Sequence, residues 1–277
     1  MKVIVIADKG FVGSHLIKRL ERDGHEACPV SRGWRGIYQH YDAIVNCAGT
    51  FVGSSEMYRD NVTLVYDWLE SMRSGRFVQI GSSSETGPLE GPRSETTVCR
   101  PSNVYEHTKL AATSLCLGAA TLRDLDVCVA RPFSLYGPDD KPRAMIPTLW
   151  RAWKEGTEFV CHPGGHDWLH IDDFIDGLML LLHAPRAATQ GHIYHFGTGV
   201  STSNEEVLHI FNRAVGGSGV AYKLSPDKYR PYDVTDWRSD SSKARASLGW
   251  TPKVDICEGI TRLVHHHWFS EELSQSL

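Results

Sequence analysis

The chain has 277 residues, 41% hydrophobic and 22% charged, with a formal net charge of −4. That length suits one large domain or two closely joined ones, and the mildly acidic balance gives a nucleic-acid partner no global electrostatic support. No apolar run approaches the ~18 residues that span a membrane, so no membrane partner is expected.

Lys2 to Ile6 is a short apolar run of the length of a buried strand. Gly10, Phe11, Val12, Gly13 and Ser14 then lead into an apolar-periodic segment with basic residues near its end, which reads as a helix. A strand, a glycine turn and a helix form the first unit of a dinucleotide-binding fold. Such turns usually carry three glycines, and the first of them is here replaced by Ala7. The segments HEACPV and YDAIVNCAG follow as strands, separated by only Ser31 to Tyr41, which is tight for a crossover helix. NVTLVYDWLESM has helical spacing, RFVQIGSSS is a strand ending in serines, NVYEHTKLAATSLCLGAA is a long helix and LDVCVARPF another strand. This alternation predicts an α/β fold of Rossmann type, a doubly wound parallel sheet with helices on both faces.

Beyond Tyr136 the texture changes to proline, charge and tryptophan, then to a strongly apolar helix within CHPGGHDWLHIDDFIDGLMLLLHAP and one more strand, GHIYHFGTG. The organisation expected is a dinucleotide-binding domain over 1–135, with 166–198 returning to it. A smaller C-terminal lobe over 136–165 and 199–277 then covers the sheet's carboxyl edge, where ligands of such folds bind. Trp150, Trp153 and Trp168 read as lobe core, with base stacking the alternative. The chain starts directly in a strand, so no signal peptide is expected. Its seven scattered cysteines form no C-x-x-C pair, so reduced thiols, a cytoplasmic location and no metal site are expected. The triplet His265–His267 reads as the surface end of a helix.

Three signals carry chemistry. The first is the glycine turn. The second is Tyr105 and Lys109, four apart on the long helix and so on one face. A nearby lysine charge stabilises a phenolate, making Tyr105 a plausible proton shuttle. The third is the serine cluster GSSSETG, whose hydroxyls either bond a substrate oxygen beside the tyrosine or cap the following loop.

Together, in this order and spacing, these stretches resemble the extended short-chain dehydrogenase/reductase superfamily, in particular its nucleotide-sugar epimerase/dehydratase branch. KGFVGSHL matches the branch's G-F-I-G-S-H-L turn and RFVQIGSSSETG its strand leading into S-S-S-x-V-Y-G. RPFSLYGP resembles R-x-x-N-V-Y-G-P, HDWLHIDDFIDGLMLLL resembles R-D-F-V-H-V-D-D and its helix, and RPYDVTDWRSDSSKARASLGWTPKV resembles the terminal R-P-G-D-V and A-D-x-S-K-A blocks. The resemblance implies Tyr105 as catalytic acid/base, Lys109 as its partner and a ligand of the nicotinamide ribose, and Ser82 as the catalytic serine, with Ser83 the substitute if the loop is shifted by one. It implies a cofactor site of Ala7, Lys9, Gly10, Phe11, Val12, Arg32, Cys47, Ala48, Gly49 and Pro132, together with Tyr105 and Lys109. Its substrate site comprises Ser83, Ser134, His166 and Arg230, with Arg230 on the diphosphate. Ser134 stands for the usual asparagine, His166 for the arginine of R-D-F and Thr86 for the tyrosine of V-Y-G. Lys9 and Arg32, with Arg35 beside them, favour NADP(H) over NAD(H), since arginine pairs with a 2′-phosphate.

The implied reaction is hydride transfer at C4 of a nucleotide-linked sugar. A 4,6-dehydratase shows Asp-Glu after the catalytic residue, where this chain has Ser83 and Ser84, and Glu85 lies one place further on. The NADP-like residues lean towards a 4-keto-sugar reductase. The alternatives are a 4-epimerase that retains NAD and, in another class, a cofactor-sensing or scaffold protein. A homodimer through the Tyr-x-x-x-Lys helix is the usual family assembly. The imidazole of His166 further predicts substrate binding that strengthens as pH falls through its titration.

Overall fold

The computed structural model describes residues 1–33, 40–230 and 233–265. Six parallel strands form the central sheet: β1 (Lys2–Ile6), β2 (Glu26–Val30), β3 (Ala43–Asn46), β4 (Arg76–Ile80), β5 (Asp126–Pro132) and β6 (His192–Phe196), in the order β6-β5-β4-β3-β1-β2. Side chains alternate across β1, so that Val3 and Val5 enter one core, and Ile4 and Ile6 the other. Because both faces are covered, the strands read as continuous apolar runs. Pro29 is tolerated in β2 because that strand forms the sheet's edge.

The helices are α1 (Phe11–Arg22), α2, α3 (Val104–Leu122), α4 (Met145–Glu155), α5 (Ile171–His183), α6 (Asn204–Val215), α7 (Ser242–Leu248) and α8 (Ile256–His265). α2 is α-helical over Ser54–Tyr58 and Leu64–Ser71, with a π turn, Arg59–Thr63, between them. It thus starts earlier than its apolar spacing indicates. α1 and α5 cover one face of the sheet, and α2 and α3 the other. Ala244 and Trp250 bury in the same core as α1 and α5, and the Trp250 indole donates to the Asp173 carbonyl at 2.8 Å. The lobe core joins Leu149, Trp150, Trp168, Phe211 and Leu263, with Trp153 packed against it. Among the described residues no helix is long and apolar enough to cross a membrane. His265 is exposed at the end of α8, while the other two histidines of the triplet lie outside the described residues.

β2 and β3 flank β1 on opposite sides, so the chain reverses direction across the sheet between them. Residues 34–39 of that connection, Arg35 included, lie outside the described residues. A reversal of strand order opens a crevice at the carboxyl ends of the strands. The candidate site occupies it.

Candidate active site

The turn after β1 is built by backbone bonds. The Ala7 amide donates to the Val30 carbonyl at 2.8 Å, and the Gly10 amide to the Ala7 carbonyl at 3.0 Å. Ala7 has φ +64°, the left-handed conformation that glycine adopts freely and alanine at a cost of ~1–2 kcal/mol. The alanine therefore keeps the shape of the glycine it replaces. Gly13 has no such latitude: a Cβ there would come within 2.4 Å of the Ala7 carbonyl oxygen. α1 starts without a side-chain cap on Gly10 and without an acid in its first turn. Its first amides are thus available to an anion, and this cradle fits a dinucleotide's pyrophosphate.

The turn opens onto a cleft of about 470 Å³. Ala7, Gly10, Phe11, Val12, Arg32, Cys47, Ala48, Gly49, Ser82, Ser83, Tyr105, Lys109, Pro132, Ser134, His166 and Arg230 all line it. Lys9, alone of the expected set, does not line it and is exposed on the turn. Arg32 donates to Asp60 at 3.2 Å, and Asp60 is also held by Arg59 at 2.7 Å. The π turn of α2 carries this carboxylate and the neighbouring Asn61, which bonds Thr50 and the Thr108 hydroxyl.

Tyr105 and Lys109 project from α3 into the cleft as their spacing requires, but their electrostatics differ from the expectation. Burial raises the Tyr105 phenol above its ordinary value; a hydrogen bond with Ser82 acts in the opposite sense, and Glu85 and Glu106 add to the rise. Lys109 is itself lowered by burial, and its Nζ donates to the Ile80 carbonyl at 2.6 Å rather than stabilising a phenolate. Tyr105 is therefore a neutral acid in this state.

The serine loop separates the roles of its hydroxyls. Ser82 Oγ lies 2.7 Å from Ser84 Oγ and bonds Tyr105. Ser83 Oγ accepts from the Trp237 indole at 3.1 Å, and the Arg93 guanidinium lies 3.8 Å from that ring's centroid. Thr86 is buried, with its hydroxyl on the Ser83 carbonyl. Glu85 points away from the cleft and is fully buried. One oxygen accepts the Ser82 amide at 2.8 Å; the other accepts Thr113 at 2.7 Å and Arg131 at 2.6 and 2.9 Å.

At the lobe side, the Ser134 hydroxyl meets His166 Nδ1 at 3.2 Å. Burial, and then the charge of Arg230, lower the His166 pKa to about 4. The imidazole is consequently neutral throughout the physiological range, and the pH dependence expected of it is displaced to strongly acidic conditions. Arg230 pairs with Asp233 at 2.9 Å. A second cavity of about 640 Å³ continues from the first into the lobe; Ser134, Leu135, Asp140, His166, Arg230 and Asp233 line both.

The profile of the NAD dependent epimerase/dehydratase family matches residues 3–197. The chain belongs to that family. It is an enzyme of the type, in the nucleotide-sugar branch of the extended short-chain dehydrogenases/reductases. A dTDP-glucose 4,6-dehydratase of Streptomyces niveus is 28% identical over 84% of this chain and 67% of its own length. A UDP-glucose 4-epimerase of Lactobacillus helveticus is 25% identical over 94% of each. The solved structure of MoeE5 in complex with UDP-glucuronic acid and NAD superposes with a TM-score of 0.85, at 26% identity and over 100% of both chains.

Within this family member, sequence reasoning missed Phe51, Asp140, Lys141, Asp233 and Trp237, which also line the cleft. Asp233 and Trp237 fall inside the terminal block that carries the resemblance, so proximity to Arg230 was their one available signal. Asp140 and Lys141 follow the Y-G-P motif in a stretch without periodicity. Among the described residues no group of His, Cys, Asp and Glu converges to hold a metal.

Proposed function

We propose that this enzyme interconverts a nucleotide-linked sugar at C4 by hydride transfer, as a 4-epimerase that retains its NAD. One observation carries the reading. Ser82, Tyr105 and Lys109 face a cleft running from the dinucleotide turn to Arg230, while the acid of the serine loop, Glu85, is locked away by Arg131. Elimination of water needs further acid–base groups, and the positions after Ser82 hold Ser83 and Ser84. Dehydration is therefore disfavoured, although dehydratases are among the relatives. The Lactobacillus helveticus epimerase, matched along 94% of each chain, supports epimerisation, and MoeE5, whose complex holds a UDP-sugar and NAD, supports NAD with a nucleotide-linked sugar.

The nicotinamide supplies the hydride acceptor and donor when bound. The chain's own residues supply the rest. Tyr105 exchanges a proton with the C4 oxygen, and Ser82 bonds that same oxygen. Lys109 holds the nicotinamide ribose beside the tyrosine. Arg230, Ser134 and His166 hold the diphosphate, and the second cavity takes the nucleoside. α3 pairs two copies as a homodimer.

A second reading, a 4-keto-sugar reductase using NADP(H), is favoured by Arg32 in the cleft and Lys9 beside it. Asp60 already engages Arg32, however, and a 2′-phosphate would have to compete with it. The test is mass spectrometry of cofactor released from the purified, denatured protein. Stoichiometric NAD(H) is expected; no retained cofactor, with NADPH-dependent reduction of a 4-keto sugar, would establish the reductase. Retained cofactor without turnover of any nucleotide sugar would point to the non-catalytic class.

A further inference from the structure

The loop leaving the sheet after Tyr136 is fixed in an uncommon way. Asp139 has φ +62°, the left-handed region that favours glycine. Its carboxylate faces Lys18 at 3.4 Å and His15 at 3.7 Å, while His15 Nε2 meets the Pro138 carbonyl at 2.9 Å. All these contacts are with α1, the helix that starts at the dinucleotide turn. A strained residue held by its surroundings points to a function nearby. Here the consequence is directional: Asp139 turns outward onto α1 and Asp140 turns inward.

Asp140 lines both cavities, at the waist where Ser134, His166 and Arg230 also line both. Its Oδ1 accepts the Lys141 amide at 2.7 Å, and its carboxyl makes no ion pair among the described residues. Arg230 is already matched by Asp233. An extra carboxylate at the level of the substrate's diphosphate is a conflict if it is ionised, and a hydrogen-bond donor if it is not.

We propose that Asp140 is the specificity residue of this waist, donating as a neutral carboxylic acid to the junction of sugar and diphosphate and repelling that junction once ionised. The inference rests on the nucleotide-sugar reading above. Burial supports it by raising the carboxyl to about 7, against the smaller opposing effects of the Lys141 amide and charge. The other charged or titratable groups that line the cavities are Arg32, Cys47, Tyr105, Glu106, Lys109 and Lys141 in the first, Arg143, Arg151, Glu158, Cys161, His162 and Tyr229 in the second, and the neutral His166 and the Arg230–Asp233 pair in both.

UDP-glucose is the probe, because its doubly esterified diphosphate keeps a constant charge between pH 6 and 8.5. Calorimetric titration of the cofactor-loaded protein should show its Kd rising about tenfold across that interval, the scale of one added repulsive charge a few ångströms away. D140N, which cannot ionise, should bind with a Kd constant to about twofold. A flat wild-type profile overturns the inference and leaves the nucleotide-sugar reading intact. A slope that persists in D140N also overturns it and assigns the titration to another group. No binding of either UDP-glucose or dTDP-glucose at any pH overturns both.

Discussion

Replacing Glu85 by alanine distinguishes a structural carboxylate from a catalytic one. The substitution leaves the Arg131 guanidinium, which is 1% exposed, without a counter-ion, and also strips an acceptor from the Thr113 hydroxyl and the Ser82 amide. Breaking one side of a buried ion pair costs ~3–5 kcal/mol, because the surviving charge stays desolvated. That is a large part of the ~5–15 kcal/mol that holds a domain folded, and at ~2–4 °C per kcal/mol it lowers the melting temperature by about 10 °C. Urea denaturation gives the free energy and calorimetry the shift. A double variant, E85L/R131M, should recover at least half of the loss, because removing both charges removes the stranded one. If Glu85→Ala costs under ~1 kcal/mol, the pair is not the desolvated lock described here, and the carboxylate is free to act on substrate. Glu85→Gln, assayed where it remains folded, should retain turnover within about tenfold; a loss typical of a general acid, ~10²–10⁴-fold, would return Glu85 to the mechanism.

Tyr105→Phe should keep cofactor affinity and lower turnover by ~10²–10⁴-fold, and near-normal rates would remove Tyr105 from the chemistry. Ala7→Gly should change stability by no more than ~1 kcal/mol, because relief of the left-handed strain (~1–2 kcal/mol) is offset by lost methyl burial (~0.8 kcal/mol) and glycine's extra unfolded-state freedom (~0.4–1 kcal/mol). Cofactor Kd should move less than about threefold in the same variant, and a tenfold gain would show that Ala7 distorts the turn. Acid should destabilise the protein through His166 and His195, both lowered to about 4 chiefly by burial. The unfolded chain binds protons near the ordinary pH of ~6.5 and the folded one does not, so stability falls as pH drops from ~6.5 towards ~4, by up to ~3 kcal/mol per group. His195→Asn should flatten urea midpoints over that interval, and an unchanged slope would contradict the burial argument.

The sheet was legible because its strands are short apolar runs covered on both faces, a pattern that survives without knowledge of tertiary contacts. Tyr105 and Lys109 were legible because helical spacing alone puts them on one face. The features that escaped depend on partners distant in the chain. Glu85 sits among serines and reads as solvent-facing until Arg131, 46 residues on, closes over it. Asp140 is one of two consecutive aspartates, and the choice of which faces inward is made by Lys18 and His15 across 121 residues or more. The start of α2 carries little apolar spacing, and its π turn shifts the helical phase that would have announced Asp60 and Asn61. Ala7 shows the limit most clearly. Sequence registers that a glycine is missing, yet the backbone angle at that position is set by the Val30 carbonyl on one side and the Gly10 amide on the other. Those bonds do not depend on the side chain, and the methyl group that makes the angle unfavourable is itself buried in the core beneath the sheet. The cradle thus keeps its form while the cost passes to folding stability, which is why an altered glycine motif does not by itself mark a lost cofactor site.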